Sequence, residues 1–328
     1  MRNKLALALL LVWIAASFGT SFAAMRNNVD LARSAFSRGR ADDALRALDN
    51  ALQRDPGNGA AWNLQCRVYL AQGRTDAAVD SCRHAVQLAS ASSEYHLWLA
   101  RAYGQKASGS GMVAAYKTAR LAHSEFEAAV QLDGNNREAL ADLGQYYVEA
   151  PKLLGGGYDK AERLAQHLAA LDPARADELH ARIAEAKKDY AGAEQDLRAQ
   201  IAASRSPEDV AQAWMDLGSF YRRRGRWDQM LAALKSGAAA DTVHGPVLVD
   251  GASTLIKSRR ETALAAQWLH EYLEGNALSE TAPAFAVHTQ LGALLKRQGD
   301  ASAADREFAA AHALSATYVE TAAITTGD

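Results

Sequence analysis

Arg33, Arg67 and Arg101 recur at a spacing of 34 residues, and the chain carries two cysteines, Cys66 and Cys82. Guanidinium groups bind carboxylates through paired N–H donors, and paired thiols cross-link in an oxidising compartment. These are the chemistries of recognition and stapling, not of turnover. The residue sets of enzymes are missing. Gly109, Gly111 and Ala114 satisfy G-x-G-x-x-A, but a dinucleotide site needs a preceding strand, and this segment reads as a flexible loop entering a helix. The sequence holds no P-loop, G-x-S-x-G, H-E-x-x-H or C-x-x-C motif. The nine histidines are scattered. His84 and His96 lie near each other but on different helices, and no cysteine or carboxylate cluster completes a ligand set. The expectation is a non-enzymatic chain with no metal and no cofactor.

The elements that position these residues follow from composition. The 328 residues are 49% apolar and 23% charged, enough to bury a core. Alanine is abundant and proline scarce, which favours helix over sheet. The net charge of −2 carries no basic half, so nucleic acid is not an expected partner. Residues 1–23 read as a Sec-type signal peptide: Arg2 and Lys4, an apolar run from Leu5 to Phe18, then Ser21 and Ala23 at a cleavage site. That run falls short of the roughly 20 residues a spanning helix needs. The expectation is therefore a periplasmic or secreted protein with no stable membrane insertion after cleavage.

The rest of the chain repeats. "WMDLGSFY" (Trp214, Leu217, Gly218, Tyr221) fits W-x2-L-G-x2-Y. Trp62, Tyr69, Gly73, Ala78 and Ala85 keep the register, as do Leu143, Gly144 and Tyr147, and Leu291, Gly292, Gly299, Ala304 and Phe308. The pattern resembles the tetratricopeptide repeat (TPR) family. The resemblance implies an all-α, right-handed solenoid of about eight helix–turn–helix units at about 25–58, 59–92, 93–136, 137–175, 174–207, 211–244, 245–282 and 283–316, followed by a tail at 317–328. Small residues (Ala78, Gly218, Ala304) would sit where the helices of a unit cross. Trp62, Phe126, Trp214 and Phe308 would fill the space between units. Gly39, Gly73, Gly225 and Gly299 would allow the left-handed turn that stops a first helix. All six prolines fall at expected helix ends or between units. The expected shape is one curved rod with a concave inner wall.

Units three and four depart from the period. A Gly/Ser stretch near 104–118 precedes a helix longer than the repeat needs, and "PKLLGGG" adds about five residues at 151–157. Insertions in adjacent units should lie side by side on one rim. The second is similar to a short motif in TPR-like proteins linked to periplasmic solute uptake. The whole chain resembles uncharacterised exported bacterial TPR proteins.

The family register sets the candidate site. First helices line the groove of a TPR array, and one groove position falls on Arg33, Arg67, Arg101 and then Gln145, with Asn63 a step upstream. Stacked arginines would take an acidic segment or a C-terminal carboxylate, and Asn63 would hold its backbone. The same arginines, paired with Glu94 and Glu138, would instead only tie units together. Cys66 and Cys82 face each other across the two helices of unit two, either as a disulfide or as two buried thiols. Arg222, Arg223, Arg224 and Arg226 read as favourable charge at a helix C-terminus. The expected function is an exported scaffold for protein–protein interaction, its partner another protein or peptide. One alternative is a solute- or lipid-binding accessory of a transport system, with an apolar cavity at Met112, Leu153 and Leu154. A remoter one is an enzyme built from scattered residues, which a close acid pair in a pocket would signal.

Overall fold

The computed structural model describes residues 28–318. The expected signal peptide, 1–23, and the tail beyond residue 318 lie outside the described residues. Apart from a single bridge between Ser279 and Ala282, the regular structure there is helical: α1 (28–37), α2 (Ala41–Arg54), α3 (Gly59–Ala71), α4 (Thr75–Leu88), α5 (Ser93–Ser108), α6 (Met112–Leu132), α7 (Arg137–Glu149), α8 (Tyr158–Leu171), α9 (Pro173–Ala186), α10 (Tyr190–Ala203), α11 (Pro207–Arg223), α12 (Trp227–Ala240), α13 (Pro246–Ser258), α14 (Thr262–Glu274), α15 (Ala284–Arg297) and α16 (Ala301–Leu314).

Helix starts and stops are written locally. Asn58 and Asn136 accept the backbone N–H groups of Ala61 and Ala139, each at 3.0 Å, so each side chain satisfies a donor that its helix leaves free. Pro173, Pro207 and Pro246 open α9, α11 and α13, where a missing N–H costs nothing. Gly39, Gly73, Gly225 and Gly299 all take left-handed φ after a first helix. The N–H groups there return to the last turn, as in Gly73 to Leu70 and Arg74 to Tyr69.

Consecutive helices pack as hairpins, and each hairpin packs on the next. First helices also touch across units, α3 on α5, α5 on α7, α7 on α9 and α11 on α13, so they form the inner layer. Within units, a side chain at Gly218 would collide with Leu234, and one at Gly292 with Phe308. Phe308 therefore fills its own unit's crossing rather than an inter-unit gap. Trp62 likewise stacks on His84 of its own unit at 4.6 Å, and its indole N–H donates to the Pro56 carbonyl. The α6 helix extends to 21 residues, and a 3₁₀ turn at Lys152–Leu154 packs against it. The Tyr146 hydroxyl donates to the Leu154 carbonyl at 2.7 Å.

The described ends of the array meet. α16 contacts α2. Phe285 is fully buried among Ala32, Phe36, Leu48 and Leu64. A Cβ on Gly39 would stand 2.5 Å from the Ala284 nitrogen. Buried Gln72 donates to Ser315 at 2.9 Å and to Asp42 at 3.2 Å, and Asp42 also accepts the Ala316 N–H at 2.8 Å. The expected curved rod is thus bent far enough for its last hairpin to seal against its first two.

Candidate partner-binding groove

Closure leaves a central cavity of about 1180 Å³. Residues of α1, α3, α5, α7 and α9 line it, together with 278–281 from the segment between α14 and α15. Trp98, half-buried on α5, is the centre of the cationic wall. The Arg67 guanidinium lies over its ring at 4.7 Å and that of Arg101 at 4.5 Å, an arrangement that holds two like charges against one indole face system. Arg101 donates to Asp142 at 2.7 Å and reaches Glu138 at 3.5 Å. Arg67 reaches Glu94 at 4.0 Å and bonds Glu280.

Glu280 comes from the far end of the chain. It sits at the tip of a tight turn, Ser279–Ala282, closed by an isolated bridge. Tyr272, fully buried on α14, pins both ends of that turn. Its hydroxyl accepts the Ser279 N–H at 2.9 Å and donates to the Ala282 carbonyl at 2.7 Å. Burial pushes the Tyr272 phenol up to about 12, against the opposing pull of the Ser279 N–H.

Of the residues picked from sequence, Arg67 and Arg101 meet at the cavity and the others do not. Arg33 is exposed on α1, outside the lining. Gln145 donates to Glu149 on its own helix at 2.8 Å, and the α7 residue that meets Arg101 is Asp142. Asn63 is 4% exposed and donates to Glu94 at 3.2 Å, so it stands behind the wall and does not front a ligand. Trp98, Arg175, Asp142 and Glu280 were missed. Trp98 lies one turn from Arg101 on the same helix face, which is a signal the sequence held. Nothing in sequence joins Glu280 to Arg67. Cys66 and Cys82 form a disulfide between α3 and α4, with Cα atoms 5.2 Å apart. It lies buried beside Leu70, Ala78 and Leu99. The basic run is spent between units: Arg223 clasps Glu185 with two bonds of 2.7 and 2.8 Å, and Arg226 bonds Glu194.

The inner layer turns acidic further along. Asp216 on α11 accepts from Gln200 at 2.9 Å and from Gln212 at 3.2 Å, while neighbouring Glu178 accepts from Arg182 at 2.9 Å. Burial, and Glu178 nearby, push the Asp216 carboxyl up to about 7. Both acids line a small cavity of about 200 Å³ and both are committed to partners within the chain. At the insertions, Met112 and Leu153 are 87% and 79% exposed and line neither of these cavities. Among the described residues there is no group of three or more His, Cys, Asp and Glu able to hold a metal ion, and no helix long and apolar enough to cross a membrane.

Stacked hairpins whose first helices form an inner layer define an α-solenoid of the kind that serves as a protein-interaction scaffold. Residues 29–94 match the tetratricopeptide repeat family model, and the later helices continue the same run of stacked hairpins. No curated protein matches it. Among solved structures it is similar to a tetratricopeptide repeat protein from Parabacteroides merdae ATCC 43184 (15% identity, 84% of this chain and 98% of that one, TM-score 0.49). It is also similar to a thermophilic TPR protein of Thermus thermophilus (20%, 71% and 99%, 0.47), and to MamA protein (20%, 55% and 91%, 0.43).

Proposed function

We propose that this chain is an exported, non-catalytic scaffold that binds another protein through the Arg67–Trp98–Arg101 wall, taking an acidic segment or a C-terminal carboxylate. The observation that carries the reading is the pair of guanidinium groups held on Trp98 inside a roomy cavity. An aromatic platform fixes the forks and keeps the charge out of bulk water, where a carboxylate gains most from paired donors. Arg101 shares its charge with Asp142 and Glu138, so part of the stack also serves cohesion between units three and four. Export is supported by the Arg2/Lys4 and Leu5–Phe18 leader and by a disulfide that suits an oxidising compartment.

The test is a photo-crosslinker at Ser37 on the cavity rim, used in the native envelope. The expected product joins Ser37 to an acidic stretch of one partner and is lost in the Arg67→Glu/Arg101→Glu variant. A partner captured equally by that variant refutes the groove. Sequencing of the mature N-terminus is expected to start near Ala24; a retained leader refutes cleavage.

A further inference from the structure

We propose that the Ser279–Ala282 turn is a built-in competitor for this groove: Glu280 occupies the place at Arg67 that a partner's carboxylate takes, and binding an acidic segment requires displacing it. The inference rests on the reading of the groove as a protein-binding site.

Three observations converge. First, Glu280 is 213 residues from Arg67 in sequence, and it belongs to the connection between α14 and α15 rather than to a repeat helix. Second, the turn is shaped without help from the groove. Tyr272 ties both of its ends, and the Ser279 hydroxyl accepts the Thr281 N–H at 3.2 Å. The carboxylate is therefore presented to Arg67 and is not needed to make the turn. Third, the match is incomplete. The Arg67 Nε is buried with no hydrogen-bond partner among the described residues, so Glu280 leaves part of the fork unused. An incoming carboxylate free to bind side-on satisfies Nε as well, which is the advantage a displacing ligand needs.

The pairing at Arg67 names the ligand class. Arg101 is held by Asp142 and Glu138, whereas Arg67 has Glu280 as its close acceptor and Glu94 only at 4.0 Å. Withdrawing Glu280 leaves the Arg67 guanidinium, with 18% of its side chain exposed, without its close carboxylate. A buried charge that has lost its partner is strongly unfavourable, so the replacement must carry a carboxylate. The partner is a chain segment with Glu or Asp on an extended strand or tight turn.

The experiment uses the full chain and a fluorescein-labelled heptapeptide of residues 277–283 (Ala-Leu-Ser-Glu-Thr-Ala-Pro), followed by anisotropy. Glu280→Ala and the conservative Glu280→Gln are each expected to bind it at least about tenfold tighter than wild type, because an internal copy no longer competes at high effective concentration. Binding should disappear when Arg67→Glu is added, and with a peptide carrying Gln in place of Glu. Affinity no tighter in either variant than in wild type, including no binding to any of them, overturns the proposal. Equal, Arg67-dependent binding by wild type and both variants overturns the competitor while leaving the groove reading intact. Failure of the groove reading shows separately, as a crosslinked partner indifferent to Arg67.

Discussion

Asp216 and Arg67 mark the two ways single residues in the inner layer depart from exposed surface charges. Asp216 has its carboxyl pushed up to about 7 by burial and Glu178, so the folded state holds a proton that the unfolded chain releases near pH 4. Stability contributed by this group is therefore full below about pH 4 and is lost as pH rises toward 7. Asp216→Asn keeps the volume and one hydrogen bond. We expect its urea midpoint to exceed that of wild type at pH 8 and the gap to close at pH 4.5; a gap independent of pH refutes the assignment. Arg67 and Arg101 were legible because repeats place equivalent residues 34 apart. The acceptors they use were not. Asp142 stands one turn before the position that the register picks on α7, and Glu280 is joined by a contact 213 residues long. A repeat pattern specifies neighbours in adjacent units and says nothing about residues brought close by accumulated curvature.

At the level of helices and turns, most of the fold was readable. Glycines stop α1, α3, α11 and α15, and prolines or Asn caps start α3, α7, α9 and α11. The turn after α9 keeps the same geometry without glycine. Lys188 sits at φ 65°, and its hydrogen bonds repeat the pattern, Lys188 to Glu185 and Asp189 to Ala184. A side chain in left-handed φ costs roughly 1–2 kcal/mol, offset in part by the entropy that glycine would lose. Lys188 is exposed, so Lys188→Gly is expected to raise stability by about 0.5–1 kcal/mol, read from chemical denaturation. Destabilisation by the same change contradicts the strain. The insertions were visible as departures from the period, but their conformation was not. The Pro151–Gly157 path depends on a carbonyl approach that no side chain permits: a Cβ on Gly156 would stand 1.8 Å from the Ala150 oxygen.

Over the whole molecule, the sequence announces the hairpins but not how far they bend. Each unit adds a small rotation to the last, and only the sum decides whether the described ends meet. Gly39 and Gly299 allow the seam to be weighed. Both take left-handed φ, but a Cβ on Gly299 meets nothing within 4 Å, whereas one on Gly39 runs into Ala284. Gly299→Ala is expected to cost about 1–2 kcal/mol from backbone strain alone. Gly39→Ala should cost a further ~1–3 kcal/mol from overpacking, and amide exchange at Ser315 and Ala316 should speed up in that variant only. Equal costs and unchanged exchange mean that the seam is not formed in solution. An open solenoid tolerates the gain or loss of a repeat, since nothing downstream measures its length. With Phe285 seated in a socket built by α1, α2 and α3, the circumference is counted: one hairpin more or fewer leaves that socket unfilled, so the number of units becomes a property that folding itself enforces.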